Sequence, residues 1–500
     1  MRLVISAEIC QQSLMLIPDF CADDFAKMSV WRSNLASRRN YKGELLMKKF
    51  MAIMAAAALV LSLTACKNDT VSDSGSSAAD SSAADNTSSS GDNAGDSRTN
   101  ADTTENEVPE SEDSKGESQD AIEEIPYTLG GELTPTMIAN SRYNVGNQVR
   151  LAEFFKKLQA GEEVTAAFLG GSITQGSSAG NDLCYARLTA NWIQEQFPNS
   201  TVNYVNAGIG ATGSYIGVHR CDKDVISHEP DIVFVDFSVN DTTEHTELNK
   251  LTYESLMRKL WFAESSPAVV TIAMTQDNGT SFQDYHGEIV KRYDIPMISY
   301  KDAILDIIDK GYIKWTDISD DNIHPNIPGH ALLTDLITDY LQSVIDNLDS
   351  ISGEESDFSQ PAESGEKYLN AKLLTPADTE PVSLGAFAVR DAAFGGFNGS
   401  WMLKSSDGQF TEADGLEFKV TAKNIGLIYG KTISNPVKAD IFIDGELITT
   451  LDTDFSGGWG NYAEFAEIAV FPDEGEHTLK IVPQSKDGAS AMYISAITIS

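Results

Sequence analysis

Four short stretches of the sequence carry the residue types that acyl transfer through a serine requires. This chemistry needs a nucleophile, a base that takes its proton, a group that orients the base and donors for the developing oxyanion. The stretches are residues 171–172 (GS), 206–212 (NAGIGAT), 238–241 (SVND) and 321–325 (DNIHP). Each can supply one of the four parts.

The spacing within these stretches indicates how the parts could work together. Asp321 and His324 are three residues apart, close enough for the carboxylate to hold the Nδ1–H of the imidazole. The other ring nitrogen is then free to face Ser172. Asn240 offers a side-chain amide, and the turn at 206–212 offers backbone N–H groups at a helix N-terminus, where the dipole favours negative charge.

The elements that would position these groups follow an α/β pattern over residues 125–350. The apolar run 164–169 ends at Gly170-Gly171, which predicts a buried strand. Alternating strands and helices predict a parallel sheet covered on both faces, with ligands beyond the carboxyl ends of its strands. The predicted strands are 164–169, 201–207, 231–237, 268–274 and 296–300, and the predicted helices are 147–158, 185–197, 215–227, 248–263, 281–293 and 328–345, with an irregular stretch before the last helix.

Two glycine motifs offer alternative interpretations. Residues 208–213 match G-x-G-x-x-G, with Asp236 at the position of a ribose-binding acid. This turn follows the second strand of the unit rather than the first, which disfavours a dinucleotide site. Residues 176–180 match G-x-S-x-G, but no strand directly precedes them, as a nucleophile elbow requires.

The histidines do not indicate a metal site. His219, His228, His245 and His286 lie near acidic residues, but no pair has a metal-ligand spacing such as H-E-x-x-H. We therefore expect ordinary core or surface histidines rather than metal ligands.

Taken together and in this order, the four stretches resemble the motifs of SGNH (GDSL-type) hydrolases over roughly residues 140–348. The resemblance implies a flavodoxin-like, three-layer α/β/α domain and esterase chemistry without a cofactor. The roles it implies are Ser172 as nucleophile, His324 as general base and then acid, Asp321 as its orienter, and an oxyanion hole made by the Ser172 N–H, Asn240 and either Ala211 or Gly210.

The sequence departs from the family pattern at three positions. Gly171 stands where the GDSL motif has aspartate, Ser238 where glycine is common, and Ala211 where many members have a donating glycine. The Ala211 N–H remains a candidate donor provided that the φ angle stays negative. Whether Ala211 or Gly210 donates is left open.

Residues 351–366 resemble a linker, and residues 367–500 predict an all-β sandwich. Short strands are expected at 416–420, 425–429, 439–443, 446–450, 466–470, 477–481 and 492–499. The region resembles the jelly-roll modules attached to carbohydrate esterases. Two loops rich in glycine and aromatic residues, 394–401 and 455–462, suit either sugar stacking or simple packing, and make Trp459 and Trp401 candidate sugar contacts.

The N-terminal 124 residues predict export and lipid anchoring. Residues 47–66 form a charged and then apolar segment that ends in LTAC, which predicts a signal peptide and resembles a lipoprotein lipobox with Cys66 as the lipidated residue. Residues 1–46 are interpreted as a non-native extension, with translation starting at Met47. Residues 67–124 are acidic and rich in serine, and are expected to be a disordered tether.

The sequence thus predicts a lipid-anchored serine esterase at the cell surface that removes small acyl groups, above all acetyl, from a polysaccharide. The excess of 74 acidic over 36 basic residues argues against a nucleic-acid partner, and the lipid anchor is the only membrane contact expected. The alternatives are an SGNH lipase or lysophospholipase, and a catalytically silent surface protein that binds carbohydrate. The polymer, the acyl position and the oligomeric state are left open.

Overall fold

The strands and helices of residues 125–350 are built around one mixed sheet. The computed structural model describes residues 125–391 and 394–500, so the predictions for residues 1–46, 47–66, Cys66 and 67–124 lie outside the described residues. The strands of this sheet are β1 (Arg142–Asn144), β2 (Glu163–Gly170), β3 (Thr201–Gly208), β4 (Ile232–Asp236), β5 (Ala268–Ala273) and β6 (Met297–Ser299).

The strand order of this sheet is β1-β6-β5-β4-β2-β3. Strands β2 to β6 are parallel, and β1 pairs with β6 in the antiparallel direction. Without β1 the order is second, first, third, fourth, fifth, which is the flavodoxin-like arrangement. The predicted α/β domain with a parallel sheet is confirmed.

Ten α-helices of the described residues connect and cover these strands. Both faces of the sheet are buried, since on β2 Ala166 and Phe168 join one core cluster whereas Ala167 and Leu169 join another. The helices are α1 (Pro135–Ser141), α2 (Val149–Ala160), α3 (Ser172–Gln175), α4 (Tyr185–Gln196), α5 (Ser214–Asp224), α6 (Thr246–Trp261), α7 (Gln283–Arg292), α8 (Tyr300–Asp309), α9 (Trp315–Ile318) and α10 (Ile327–Asp346). Three short 3₁₀ helices cover Ile226–His228, Thr243–His245 and Glu412–Asp414.

Helix α8 lies in the stretch that the sequence predicts to be irregular. Its first turn is capped by Ser299, whose side chain accepts a hydrogen bond from the Asp302 N–H. One face of the helix buries Ala303, Ile304 and Ile307. The prediction was wrong here because the strand before the helix is only three residues long, so strand and helix follow one another without a turn.

The C-terminal region (residues 372–500, here the β domain) is all antiparallel and has a core of its own. Its strand order is β12-β11-β13-β10-β14-β9-β8, and β7 pairs with β14. The strands are β7 (Lys372–Leu374), β8 (Phe387–Arg390), β9 (Ser400–Ser405), β10 (Leu416–Lys431), β11 (Lys438–Ile443), β12 (Glu446–Asp452), β13 (Tyr462–Pro483) and β14 (Ser490–Ile499).

Two pairs of predicted strands are in fact single long strands. The predicted strands 416–420 and 425–429 both lie in β10, and 466–470 and 477–481 both lie in β13. The β10–β13 register shifts between Ala422 and Asn424, so a local irregularity lets each strand continue where separate strands were expected. An all-β region is confirmed, whereas the jelly-roll topology stays a prediction.

The β domain shares a core with one face of the α/β domain. Phe397 and Ile428 belong to the same buried cluster as Tyr215 at the start of α5. The Tyr215 ring stacks on Phe465, with centroids 4.2 Å apart, and its hydroxyl is hydrogen bonded to Thr498 Oγ1 at 2.9 Å. The interface therefore combines apolar burial with a buried polar contact.

The predicted linker, residues 351–366, has no helix or strand but is packed onto the α/β domain. Phe358 is buried and stacks on Trp261 and Tyr293, with ring centroids 4.4 and 4.2 Å away. Arg258 donates hydrogen bonds to the carbonyl oxygens of Phe358 and Gln360 at 3.2 and 2.8 Å. This segment is thus held by side chains of α6 along its length.

Cys184 and Cys221 are both buried and free, and they belong to core clusters on opposite faces of the sheet. The two thiols therefore lie apart.

Within residues 125–391 and 394–500, no helix has both the length and the hydropathy needed to cross a membrane.

Glu254 of α6 is a buried carboxylate that fixes the end of the linker segment. It accepts hydrogen bonds from the Tyr293 hydroxyl at 2.6 Å, the Glu363 N–H at 2.9 Å, and both the N–H and the hydroxyl of Ser364 at 2.6 Å. Burial acts to raise the pKa of Glu254, but the hydrogen bonds from Ser364 and Tyr293 outweigh it and hold the pKa below its ordinary value.

Replacing this carboxylate by an amide should destabilise the fold in a pH-dependent way. In Glu254→Gln an NH₂ group faces donors, so we expect a loss of about 1–3 kcal/mol at neutral pH in urea unfolding. Because the folded-state pKa is lowered, the stabilisation is present above the unfolded pKa of about 4.3 and is lost as the pH falls further. The difference from wild type should therefore shrink in acid.

The matched control is Glu288→Gln, which removes an exposed ion pair with Lys250 and should change stability by less than about 1 kcal/mol. Equal effects of the two substitutions would contradict the role given to Glu254.

Candidate active site

Ser172 lies at the point where the direction of the strand order changes. Strand β2 ends at Gly170, Gly171 follows, and Ser172 is the first residue of α3, with 9% of its surface exposed. The neighbours of β2 are β3 on one side and β4 on the other, so the connections diverge and leave a crevice at the strand ends. Ser172 therefore lies beyond the carboxyl end of a parallel strand, as the sequence predicts.

A continuous chain of hydrogen bonds joins Ser172 to His324 and Asp321. The Ser172 Oγ lies 2.8 Å from His324 Nε2, and His324 Nδ1 lies 2.8 Å from Asp321 Oδ2. Asp321 Oδ1 also accepts hydrogen bonds from the backbone N–H groups of Ile323 and His324, at 2.8 and 2.6 Å. Ser172 is 149 positions before Asp321 in the sequence, whereas Asp321 and His324 are three residues apart. The fold brings the side chains of all three together.

These bonds keep Asp321 in its ionised form. Partial burial acts to raise the pKa of the Asp321 carboxyl, but the hydrogen bonds from the backbone and ring of His324 lower it below the ordinary value. An ionised Asp321 holds the proton of His324 on Nδ1, which leaves Nε2 to accept a proton from Ser172.

The loop that carries Asp321 and His324 is fixed by residues that the motifs do not single out. The Trp315 indole N–H donates to the Asp321 carbonyl oxygen at 2.6 Å, and the Ser319 hydroxyl lies 2.6 Å from the His324 carbonyl oxygen. The Asp277 N–H donates to the Asn322 carbonyl oxygen at 3.0 Å. The only signal for Trp315 and Ser319 in the sequence is their proximity to Asp321.

Asn240 lies directly beside Gly171, across the gap between β2 and β4. A Cβ atom at Gly171 would come within 2.1 Å of Asn240 Oδ1, so a larger residue there would require the Asn240 side chain to shift. Glycine at the first departure from the family motif, in place of aspartate, is thus compatible with the observed position of the Asn240 side chain beside the start of α3.

The residue after Asn240 is held by a second, fully buried His–Asp pair. Asp241 Oδ2 lies 2.9 Å from His286 Nε2, and Asp241 Oδ1 accepts a hydrogen bond from the Ser214 N–H at 2.8 Å. The His286 ring stacks on Tyr253 with centroids 3.6 Å apart. His286 is thus a core histidine, as expected, but it also fixes the turn that carries Asn240.

Ser238, the second departure from the family motif, ties the ends of β4 and β5 together. Its hydroxyl accepts a hydrogen bond from the Met274 N–H at 2.6 Å and lies 3.3 Å from Asp236 Oδ1. Burial raises the pKa of Asp236 to about 7. Because Asp236 is only 2% exposed, its carboxylate is not accessible to a ribose.

Ala211, the third departure, adopts a conformation that the sequence does not predict. Its φ angle is +58°, in the left-handed region, so the condition of a negative φ is not met, although the backbone N–H is present at either sign of φ. The turn at 206–212 requires this conformation although the residue is not glycine, and an alanine there costs roughly 1–2 kcal/mol.

The two candidate oxyanion donors differ in their partners. The Gly210 N–H donates to Gln175 Oε1 at 3.0 Å. The Ala211 N–H has no partner among the hydrogen bonds of residues 125–391 and 394–500. Of the two, Ala211 is therefore the donor that is free for a ligand.

The two tryptophans proposed as sugar contacts have opposite environments. Trp459 is 71% exposed and belongs to an aromatic cluster with Tyr462 and Phe455, at ring-centroid distances of 5.3 and 5.7 Å. Trp401 is fully buried and packs edge-to-face on Phe418 in the core of the β domain. The prediction for Trp401 is wrong, because a side chain in the core cannot contact a sugar.

The β domain also touches the turn that carries Ala211. Gly396, with a φ angle of +86°, packs so closely on Ile209 that a Cβ atom would come within 2.5 Å of Ile209 Cγ2. The 394–397 loop thus contacts the turn that follows β3.

Within residues 125–391 and 394–500, no group of three His, Cys, Asp or Glu side chains is arranged to hold a metal ion.

Comparison with known proteins identifies the family. The model of the GDSL-like lipase/acylhydrolase family matches residues 168–332. A two-domain esterase active on acetylated mannans is 31% identical, and the match covers 73% of this chain and 98% of that one with a TM-score of 0.66. The chain belongs to the GDSL-like hydrolase family. It is a carboxylic ester hydrolase.

Two further similarities extend the comparison of this GDSL-like hydrolase. The same two-domain esterase co-crystallized with mannopentaose is 30% identical, with 73% of this chain and 97% of that one covered and a TM-score of 0.64. Thioesterase 1/protease 1/lysophospholipase L1 of Escherichia coli (strain K12) is 22% identical over 190 residues, which are 37% of this chain and 86% of that protein. The match to the two-domain esterase therefore reaches beyond the GDSL-like domain.

The left-handed conformation of Ala211 can be tested by substitution. Ala211→Gly should keep the hydrolysis of p-nitrophenyl acetate within about 3-fold of wild type, because glycine adopts this conformation without steric cost. Ala211→Val should lose activity by about 10-fold or more, because β-branched residues are strongly disfavoured at positive φ. Activity of the valine variant equal to that of the glycine variant would contradict the conformation.

Proposed function

We propose that this GDSL-like hydrolase is a serine esterase that removes small acyl groups, above all acetyl, from a polysaccharide. The observation that carries the proposal is the hydrogen-bond chain from Ser172 Oγ through His324 to Asp321, with 2.8 Å at both links. Each distance is within the reach that nucleophile activation requires.

In the proposed mechanism Ser172 Oγ attacks the acyl carbon while its proton passes to His324 Nε2. The tetrahedral intermediate collapses as His324 gives the proton to the departing sugar oxygen, which leaves as a hydroxyl, and the acyl group remains on Ser172. Water then attacks the acyl carbon and gives one proton to His324. His324 passes this proton to Ser172 Oγ as the bond between the acyl carbon and Oγ breaks, which releases the free acid and restores Ser172. Asp321 stays ionised throughout and stabilises the imidazolium.

Three donors are proposed for the oxyanion. They are the Ser172 N–H at the start of α3, the Asn240 side-chain amide beside Gly171, and the Ala211 N–H. Donors of this kind are each worth about 10²–10³ in kcat when they are fixed in advance. Asp241 and His286 support this role indirectly, since they hold the turn of Asn240.

One observation supports a small acyl group on a carbohydrate. The two-domain esterase that matches over both domains is active on acetylated mannans. The alternative is a lysophospholipase-type substrate, which the Escherichia coli relative suggests by its name.

The location is part of the same proposal. The signal segment 47–66 and Cys66 support an exported enzyme tethered to the membrane by a lipid. Recovery of the native protein in the cytosol would contradict this location.

The mechanism and the acyl size can be tested with one series of esters. Wild type should hydrolyse p-nitrophenyl acetate faster than the octanoate or palmitate ester, and Ser172→Ala and His324→Ala should each lower kcat by about 10⁴-fold or more. Asp321→Asn should keep more activity than either, because the orienter contributes less than the nucleophile or the base.

The outcomes of this series separate the candidate functions. A preference for long acyl chains would favour the lipase alternative. Wild type as inactive as Ser172→Ala would favour a binding protein without catalysis. Release of acetate from acetylated mannan or xylan would then identify the polymer class.

The exposed aromatic cluster of the β domain predicts a second effect, on polymers only. Trp459→Ala should raise KM for an acetylated oligosaccharide by about 3- to 10-fold, as expected for the loss of one stacking contact. Its kinetics with p-nitrophenyl acetate should not change. Phe262→Ala is the matched control, since Phe262 is 62% exposed and lies at the end of α6.

A further inference from the structure

Arg220 of α5 is a fully buried arginine whose guanidinium lies under the ends of two strands. It donates hydrogen bonds to the carbonyl oxygen of Ala207 at 2.6 Å and to that of Gly170 at 2.9 Å. Its acidic partner is Asp224, 3.0 Å away and 34% exposed. A buried guanidinium is costly to desolvate, and two of the three bonds go to neutral carbonyl groups.

These two carbonyl groups belong to the last rungs of the β2–β3 ladder. Leu169 pairs with Ala207 and Gly170 with Gly208, after which both chains leave the sheet. The Gly170 carbonyl oxygen also accepts a hydrogen bond from the Ile209 N–H at 3.0 Å. Arg220 and Ile209 thus supply donors to the last carbonyl groups of the two strands, beyond which no strand residue is paired.

The chain segments that diverge from this point carry two of the proposed oxyanion donors. Ser172 lies two residues beyond Gly170, and Ala211 lies four residues beyond Ala207. The relative position of their N–H groups depends on how the ends of β2 and β3 are joined. Arg220 is a side chain that bonds to both ends from one planar group.

We propose that Arg220 is a positioning residue that sets the spacing between the Ser172 and Ala211 N–H groups in the oxyanion hole. This inference rests on the proposed function. The third donor, Asn240, is held separately through Asp241 and His286, so the loss of Arg220 should leave it in place.

A second buried arginine provides a matched comparison. Arg258 of α6 also donates to two carbonyl oxygens, those of Phe358 and Gln360, and its surface is 7% exposed. It lies twelve residues into α6, about 18 Å from the start of that helix. Its bonds hold the segment after the α/β domain and not the strand ends.

The role predicts an effect on the transition state rather than on substrate binding. In Arg220→Met, kcat for p-nitrophenyl acetate should fall by about 10- to 100-fold, less than the loss of a whole donor, while KM stays within about 3-fold. Arg220→Lys keeps the charge but cannot reach both carbonyl groups in the same geometry, so its kcat should be intermediate.

A tetrahedral inhibitor gives a readout that a purely structural role would not change. Methylboronic acid forms a B–O bond with Ser172 Oγ while the serine proton passes to His324, and one boron-bound oxygen takes the place of the oxyanion. Its Ki should rise in the Arg220 variants by a factor close to the fall in kcat.

The controls separate positioning from loss of fold. Arg258→Met should lower the urea midpoint to a similar extent as Arg220→Met but keep kcat and the boronate Ki within about 3-fold of wild type. If Arg220→Met does not accumulate as folded protein, Arg220→Lys is judged by the same criteria.

Two results would overturn the inference: an unchanged kcat and Ki in the folded Arg220 variants, or an equal loss of both in Arg258→Met at equal loss of stability. Full activity of Ser172→Ala would instead refute the proposed function itself. An inactive Ser172→Ala together with a fully active Arg220→Met would refute only the positioning role.

Discussion

The geometry of the site depends on the close approach of Gly171 to Asn240. Strands β2 and β4 are parallel neighbours, so their chains leave the sheet at the same edge and then diverge. A Cβ atom at Gly171 would lie 2.1 Å from Asn240 Oδ1. A larger residue at this position would force the Asn240 side chain to move, so glycine lets the amide keep its place beside the start of α3.

The turns around that volume are held by buried polar groups and not by loop packing alone. Asp241 and His286 fix the turn after β4, Ser238 ties its strand to β5, and Arg220 bonds to the last carbonyl groups of β2 and β3. In a low-dielectric interior such bonds are strong only where the partners are in place. Donors fixed in advance need no reorganisation when charge develops on a substrate, which is the property that the proposed oxyanion hole requires.

The sequence was sufficient to predict the parallel sheet, because the apolar run 164–169 and the later apolar strands are short and bounded by turn residues. Strands buried on both faces have this pattern. It also placed Ser172, Asn240 and the Asp321–His324 pair at strand ends, where the structure brings the serine, the histidine and the aspartate together. It could not predict the left-handed φ angle of Ala211, since alanine rarely adopts this conformation and only the surrounding turn imposes it. Nor could it distinguish the two tryptophans in glycine-rich loops, because the burial of one and the exposure of the other are decided by the packing of distant strands.

The β domain is attached to the same elements that carry the candidate site. Tyr215 of α5 packs on Phe465 within a shared core, and Glu254 fixes the segment that connects the two domains. Gly396 contacts Ile209, in the turn that leads to Ala211. A buried apolar interface restricts relative movement of two domains more than a polar linker does, so the turn of Ala211 is supported from both domains.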